Sequence, residues 1–452
     1  VPDSILPKTG DPSATASRGD RAEALIESLD YEGHGVAHVQ GKAVFIDGGL
    51  PGEQVLFRYH NKKKHYDTGR VLEVLTPSPD RVTPRCVHYG VCGGCSLQHL
   101  RPAAQLEAKQ RVLRDALERI GKVQPLTWLA PLAGQAWGYR RRARLGVKHV
   151  PKKGGVLVGF REKRSSFITP LSTCEVLEAG VAHLLPVLQQ TITRLDCADR
   201  LPQIEVAVGD NARALVFRHL LPLTENDKAV LTAFAQECDV QVWLQPKGPD
   251  SVTPLWPGAP PPLVYSLPQY NVTFEFAPTD FIQVNGDLNR KMVDQALALL
   301  APEPGARILD LFCGLGNFTL PLARVAGPVL GIEGDERLIA KARANAARNG
   351  LAQVEFRAAN LHDAGAPDPW GGHPGDLWLL DPPRTGAIDV LKRLQPPTAP
   401  RRILYVSCNP ATLARDAELL VHVHGYRLTH AGAMDMFPQT SHVEAMALFQ
   451  RS

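Results

Sequence analysis

The feature that most constrains this 452-residue chain is a strand–loop–helix–strand unit in its second half. Ala306-Arg307-Ile308-Leu309-Asp310-Leu311-Phe312 is an apolar run of strand length, followed at once by Cys313-Gly314-Leu315-Gly316-Asn317-Phe318. The glycines permit a tight turn and close approach of backbone to ligand. A helix is predicted over Thr319 to Ala326, and a second strand, Val329-Leu330-Gly331-Ile332, ends in Glu333. An acid there can accept hydrogen bonds from both hydroxyls of a ribose. From about Asp280 onward helix and strand alternate, the pattern of a parallel α/β sheet.

A nicotinamide-binding fingerprint would place a third glycine three residues after Gly316, where this chain has Thr319. The Asp-x-x-Cys-Gly-x-Gly form with a downstream acid resembles instead the class I (Rossmann-like) methyltransferases, whose S-adenosylmethionine has no pyrophosphate to cradle. By that resemblance Asn360, after the strand Val354-Glu355-Phe356, lies where such enzymes hold adenine. The next strand, Asp376 to Leu380, delivers Asp381-Pro382-Pro383-Arg384. Two prolines stiffen that loop and fix Asp381 at the strand's carboxyl end, where open α/β sheets bind ligands. Amino-methylating enzymes carry an aromatic residue after the prolines. Arg384 stands there instead, which disfavours adenine N6 chemistry.

A further strand, Arg402 to Ser407, runs into Cys408-Asn409-Pro410-Ala411, and a helix is predicted from near Ala411. Beside a helix N-terminus a thiol's pKa falls below its free value of about 8.5, which suits Cys408 as a nucleophile. Glu444, an isolated acid in the apolar run Val443 to Phe449, is the candidate base. Alone, Cys408 would read as a buried structural thiol and Glu444 as a solvent-facing strand residue. The ordered set of Gly loop, Asp-Pro-Pro, Ser-Cys-Asn-Pro and Val-Glu makes nucleophile and base the better reading.

Residues 1–20 are rich in Ser, Thr, Pro and Gly and read as a disordered tail, without the apolar stretch of a secretory signal. Residues 21–78 alternate as five short strands between Gly, Asp and Pro turns, which predicts a small OB-like β-barrel. Its stretch Arg58 to Arg70 sets Lys62, Lys63 and Lys64 beside Tyr59, His65 and Tyr66, a mixture suited to phosphates and unstacked bases or simply to a solvated loop. Residues 79–275 form a β-rich central domain, and 276–452 the α/β domain.

Eight cysteines without a signal point to the cytosol, where clustered thiols bind metal or do chemistry. Cys86, Cys92 and Cys95 share a Gly-rich loop, and Cys174 is the candidate fourth ligand. Zinc is the default for four thiolates. The five-residue gap between Cys86 and Cys92 does not match the three-then-two spacing of radical S-adenosylmethionine enzymes. The net charge of +4 is small, so nucleic-acid binding must rest on local charge. The densest cationic stretch runs from Tyr139-Arg140-Arg141-Arg142-Ala143-Arg144 through Lys148, Lys152, Lys153, Arg161, Lys163 and Arg164, with few acids in sequence, and reads as a phosphate-contacting surface. No apolar run reaches the roughly 18 residues of a membrane span.

Taken in order, these motifs resemble the RNA uracil-5-methyltransferase family, specifically its RumA/RlmD-type branch acting on 23S ribosomal RNA. Gly33-His34-Gly35-Val36-Ala37, Val44-Phe45-Ile46, Leu50-Pro51-Gly52-Glu53 and Pro77-Ser78-Pro79-Asp80-Arg81-Val82 are similar to a TRAM domain, and Phe281-Ile282-Gln283-Val284-Asn285 to the segment preceding the family's catalytic core. The resemblance implies Gln283, Phe312, Asn317, Glu333, Asn360 and Asp381 around S-adenosylmethionine, with Cys408 as nucleophile towards uracil C6 and Glu444 removing the C5 proton. It turns the choice at Cys86, Cys92, Cys95 and Cys174 from zinc to a 4Fe-4S iron-sulfur cluster, also held by four thiolates. A monomer is the default, and a splayed single-stranded or loop uridine is predicted, since a stacked base cannot reach Cys408 beside the sulfonium. Two alternatives stay open: the same chemistry on the T-loop uridine of tRNA or on two ribosomal sites, and a non-catalytic RNA-binding assembly factor.

Overall fold

The computed structural model describes residues 20–153, 155–363, 369–371, 375–395 and 399–451. The tail read over 1–20 lies, but for Asp20, outside the described residues, as does the side chain of Lys153. The chain divides into two compact units, Val1–Val82 and Thr83–Ser452.

In the first unit β1 (Arg21–Leu25), β2 (Ser28–Leu29), β3 (Gly35–Val39), β4 (Lys42–Asp47), β5 (Gln54–Lys62) and β6 (Tyr66–Thr76) form one sheet, ordered β1-β5-β6-β4-β3-β2. The segment 21–29 pairs with β5 through its first half and β3 through its second, which closes the sheet into a barrel. The sixth strand, β2, is two residues long and leaves no alternating pattern to read. Ile26, Val44, Ile46 and Phe57 fill the interior. Glu53 is fully buried and accepts from the Leu50 and Ser78 N–H groups at 2.8 and 3.1 Å and from Nε and Nη2 of Arg81. Burial would raise its carboxyl, but Arg81 and the backbone donors outweigh burial and hold it below the ordinary carboxylate range.

The second unit opens with α1 (Pro102–Arg119) and β7 (Thr127–Trp128). A seven-stranded sheet follows: β8 (Arg142–Val150), β9 (Gly155–Arg161), β10 (Ile168–Pro170), β11 (Gln203–Val208), β12 (Arg213–Arg218), β13 (Gln241–Gln245) and β14 (Thr253–Trp256). Its order is β10-β9-β8-β11-β12-β13-β14, with α2 (Ala179–Thr193) packed on β9 and α3 (Glu225–Cys238) on β13. A hairpin, β15 (Leu263–Leu267) and β16 (Val272–Phe276), leads to α4 (Gly286–Leu300).

The Rossmann-like layer comprises β17 (Ile308–Leu311), α5 (Thr319–Val325), β18 (Val329–Glu333), α6 (Glu336–Arg348), β19 (Val354–Ala358), β20 (Leu377–Leu380), α7 (Ile388–Leu391), β21 (Arg402–Ser407), α8 (Pro410–Glu418), β22 (Arg427–Met434) and β23 (Glu444–Gln450). The sheet runs β19-β18-β17-β20-β21-β23-β22-β7, with β17 to β21 parallel and β23 antiparallel to both its neighbours. Every residue of β17 and β20 is buried, as expected of parallel strands covered on both faces. No helix among the described residues is long and apolar enough to cross a membrane.

The helix α1 packs against α8 and β22, and β7 extends the catalytic sheet beside β22, so this part of the chain is built onto the Rossmann-like layer. At Gly121, just past α1, a Cβ would lie 2.6 Å from the Ala414 carbonyl, so only glycine allows this approach. Lys109 of α1 is almost fully buried, and its Nζ donates to Asp435 Oδ1 at 2.5 Å and to the Phe437 carbonyl at 3.0 Å. Removing one partner of such a pair strands the other charge. Lys109→Met is expected to cost about 3–5 kcal/mol in urea unfolding, with Asp435→Asn in the same chain restoring most of it. A loss below about 1 kcal/mol would show that the pair does not anchor α1.

Candidate active site

Strand register assembles the centre of the site. Ser407 of β21 pairs with Ala445 of β23, so one step further Cys408 stands opposite Glu444. Beside β21, β20 ends at Asp381, and beside β20, β17 runs into the Gly loop. The nucleophile and base candidates therefore meet Asp381 at the end of the sheet where open α/β folds bind ligands.

Cys408 is fixed by the turn into α8. Asn409 caps that helix, its side chain accepting from Ala411 N–H at 3.0 Å. The Asn409 amide and the Thr412 hydroxyl both donate to the Arg384 carbonyl at 3.2 Å, tying the Asp-Pro-Pro-Arg loop to the cysteine turn. Beneath, Asp416 accepts from Tyr405 OH and Ala387 N–H, each at 2.7 Å. The sequence predicts a thiol lowered by the helix N-terminus; the structure corrects this. Burial, with Glu444 and Asp381 adding negative charge, pushes the Cys408 thiol up to about 11, against the pull of Arg384.

Asp381 keeps some surface towards solvent, yet burial, Glu444 and Asp310 drive its carboxyl well above the usual range. Burial lifts Asp310 to about 7; its Oδ2 accepts from the Thr319 hydroxyl, while Oδ1 finds no hydrogen-bond partner. Three carboxyls thus crowd one end of the sheet, and a cationic ligand is what they would stabilise. A sulfonium cofactor fits that charge. Glu444 is buried, and its Oε1 lies 3.2 Å from His442 Nε2.

The loop after β17 is shaped for a ligand. Phe312 is left-handed at φ 65°, followed by Gly314 at φ 55° and Gly316 at φ 90°. Such strain in a bulky residue persists only where the surroundings enforce it. Glu333, closing β18, accepts from Gly314 N–H at 3.1 Å and Gly334 N–H at 2.7 Å. Asn360 accepts from His362 N–H at 3.0 Å, and the His362 ring lies 5.5 Å from that of Phe312. Phe312, Glu333 and Asn360 thus gather about the Gly loop. Asn317 exchanges two hydrogen bonds with Asn289 of α4, at 2.9 and 3.0 Å, and accepts from Tyr265 OH at 3.2 Å. Gln283 lines a pocket together with Tyr265 and Asn289, on the Asn317 side. Sequence reasoning missed Asn289, Tyr265 and His362. Their partners lie 28, 52 and 50 residues away, and no local pattern marks such pairings.

The four candidate metal-binding cysteines are reduced and near one another. Cys92 rises to about 11 and Cys95 to about 12 through burial, and Cys174 also rises through burial; each is raised further by neighbouring thiols of the set. Gly94 sits so close that a Cβ would lie 3.4 Å from Cys92 Sγ and 3.3 Å from Phe160. Tetrahedral zinc at about 2.3 Å per bond would need sulfurs about 3.8 Å apart. Among the described residues no three of these sulfurs lie within 4.8 Å of one another. The same loop grips the turn before β23: Ser96 and Leu97 N–H donate to the Gln439 carbonyl at 3.0 Å, and Gln105 exchanges two bonds with Gln439, itself left-handed at φ 69°.

The cationic stretch is less free than its sequence suggests. Arg141 pairs with Asp210 at 2.5 Å, Arg142 and Arg144 share Glu205 at 3.9 and 3.0 Å, and Arg140 lies over Phe437. The acids arrive from β11 and the turn after it, beyond the reach of a local charge count. Arg144, Lys148, Lys152 and Arg161 stay exposed. On the barrel hairpin Lys62 sits 4.5 Å over the Tyr59 ring and Lys63 5.0 Å over that of Tyr66.

Comparison with known proteins sets this geometry in a family. Residues 16–72 match the TRAM domain, 302–387 a methyltransferase domain, and 375–452 the family described as tRNA (Uracil-5-)-methyltransferase. A protein of Azoarcus sp. (strain BH72) named 23S rRNA (uracil(1939)-C(5))-methyltransferase RlmD is 56% identical over 429 residues, spanning 95% of this chain and 99% of its own. The chain belongs to the RNA uracil-5-methyltransferase family. Its namesake in Aromatoleum aromaticum is 55% identical over 95% of this chain and 99% of its own. The solved tRNA (uracil-54, C5)-methyltransferase of Pyrococcus abyssi, in complex with S-adenosyl-L-homocysteine, superposes with a TM-score of 0.72 over 95% of this chain and 100% of its own at 24% identity, which shows a shared fold.

For this member of the uracil-5-methyltransferases, a Cys408 thiol near 11 predicts slow alkylation by iodoacetamide. The rate at Cys408, followed by peptide mass spectrometry, should rise about tenfold per pH unit between pH 7 and 10 and fall further in Arg384→Gln. Half-maximal alkylation near pH 8.5, the ordinary thiol value, would contradict the burial account.

Proposed function

We propose that this S-adenosylmethionine-dependent enzyme methylates C5 of a uridine in 23S ribosomal RNA through a transient bond between Cys408 Sγ and uracil C6. The observation that carries the reading is the Cys408–Glu444 register beside Asp381, in a chain 56% identical to a protein named for that reaction. S-adenosylmethionine supplies an electrophilic methyl group. Uracil C5 is too poor a nucleophile to accept it unaided. Addition of the Cys408 thiolate to C6 places carbanion character on C5, and Arg384 favours that thiolate. After methylation Glu444 takes the C5 proton, the C5–H pair forms the C5=C6 bond, and the C6–Sγ bond breaks to return the thiolate. Glu333 holds the ribose hydroxyls, while Phe312, Asn360, Asn317, Gln283 and Asp381 surround the rest of the cofactor.

In this reading the regions divide the work: the barrel over 21–78 and the central region over 79–275 grip RNA, and 276–452 performs transfer, in a cytoplasmic monomer. Cys86, Cys92, Cys95 and Cys174 hold a 4Fe-4S cluster whose role is structural, fixing the turn that carries Glu444. Anaerobically purified protein is expected to carry about four irons and four sulfides per chain. One zinc per chain instead would refute this assignment.

The activity is tested with radiolabelled-methyl S-adenosylmethionine on unmodified 23S RNA and on tRNA, comparing the native chain with Cys408→Ala. Label in 5-methyluridine of 23S RNA, absent with the variant, is the expected result. Label confined to tRNA would replace the substrate. No label in either RNA with cofactor still bound would leave an RNA-binding assembly factor.

A further inference from the structure

After each turnover Glu444 must lose the proton it took from C5, and its surroundings restrict where that proton can go. Glu444 is 9% exposed and stands among Asp381, Cys408 and the β21 and β22 backbones. Asp381 lies in the same crowd of acids, its own carboxyl driven upward by burial and by Glu444. Lys109, a buried cation that acts on Glu444, is already committed to Asp435 and the Phe437 carbonyl. The remaining group is His442, two residues before Glu444, whose Nε2 lies 3.2 Å from Glu444 Oε1. Its side chain keeps 23% of its surface in solvent, against 11% for Glu444. The imidazole is therefore the wetter half of a two-residue path from the buried base to water.

The ring is also held. It packs edge-on against Phe437 at 4.5 Å and 84°, and Arg140 lies over the same Phe437. The His442 N–H donates to Thr440 Oγ1 at 3.3 Å, and Ser441 N–H donates to Ser96 Oγ at 2.9 Å, so the turn bearing the histidine is pinned by the cysteine loop. The charged and titratable groups facing the pair are thus Lys109 from α1 and Asp435 just past β22, Asp381 and Cys408 from the neighbouring strand ends, and Arg140 beyond Phe437.

We propose that His442 is the positioning and proton-relay partner of Glu444 in the uracil-5-methyltransferase reaction, delivering the C5 proton to solvent; this rests on Glu444 being the base. In the carboxylate state the imidazole N–H holds Glu444 Oε1 in place. Once Glu444 is protonated, the neutral ring exchanges through solvent to the tautomer that carries its hydrogen on Nδ1; the carboxyl O–H then breaks, an N–H forms on the bare Nε2, and the Nδ1 proton leaves to water or buffer, restoring the Nε2–H form. One proton enters from C5 and one leaves, and both side chains return to their starting forms. Histidine suits the task because one ring nitrogen can accept a proton while the other gives one up.

The test separates the first turnover from later ones. With enzyme in excess over 23S RNA, His442→Gln should methylate and release its first RNA within about twofold of the native rate, since glutamine still donates to Glu444. With RNA in excess its steady rate should fall at least tenfold, and His442→Ala should recover several-fold on adding imidazole. Glu444→Gln, run in parallel, should stall as a methylated RNA–protein adduct. Equal first and later rates in His442→Gln, with the Glu444→Gln adduct trapped, would overturn the relay alone. A parallel fall in both phases without imidazole rescue would reduce His442 to a structural residue and also overturn it. Normal turnover by Glu444→Gln would instead remove Glu444 as the base, and the relay with it.

Discussion

The antiparallel pairing of β21 with β23 is the constraint on which the site depends. A parallel sheet alone brings loops together only at the carboxyl ends of its strands. Reversing the last strand lets a residue at the start of β23 face a residue just past the end of β21, so Cys408 and Glu444 meet without any long loop. A slip of one residue would turn every β23 side chain to the opposite face and remove Glu444 from the cysteine. The register is secured by seven buried or nearly buried residues of β23, packed between β21 and β22.

Such a centre is unfavourable in isolation. Asp381 and Glu444 crowd a half-buried thiol with Asp310 close to Asp381, and burial drives the thiol, Asp310 and Asp381 towards their neutral forms. The protein sustains this because the surrounding shell is cross-linked. Asp416 ties β21 to the turn before α7, Asn409 and Thr412 hold the Arg384 loop, and the Lys109–Asp435 pair holds α1 to the strand before the base. Gln439, in a backbone conformation costly for a residue with a Cβ, is bound from both sides by the cysteine loop and α1. The cysteine loop, distant in sequence, thereby becomes part of the scaffold for Glu444.

Much of this was legible from residue order. The Gly loop, the acid closing β18 and the buried strands are local patterns, and local patterns survive in a sequence. So does the barrel, whose alternation and turn residues mark five of its six strands. Three kinds of information were not local. The Cys408 thiol is raised first by burial and then by acids at the ends of two other strands, so a helix N-terminus read alone predicts the wrong direction. The arginines of 140–144 looked unpaired because Glu205 and Asp210 reach them across the sheet from over sixty residues away. The helix α1 carries no mark of its partner, and only the buried Lys109 hints that it docks against an acid.

The central claim, a covalent bond between Cys408 and uracil C6, is tested most directly with 23S RNA carrying 5-fluorouridine at the target position. Fluorine at C5 cannot be removed as a proton is, so the methylated adduct should persist. Incubation with S-adenosylmethionine, nuclease digestion and peptide mass spectrometry should find a methylated fluorouridine on the peptide containing Cys408. Methylated RNA product with no modified Cys408 peptide, or an adduct on another cysteine, would contradict the account.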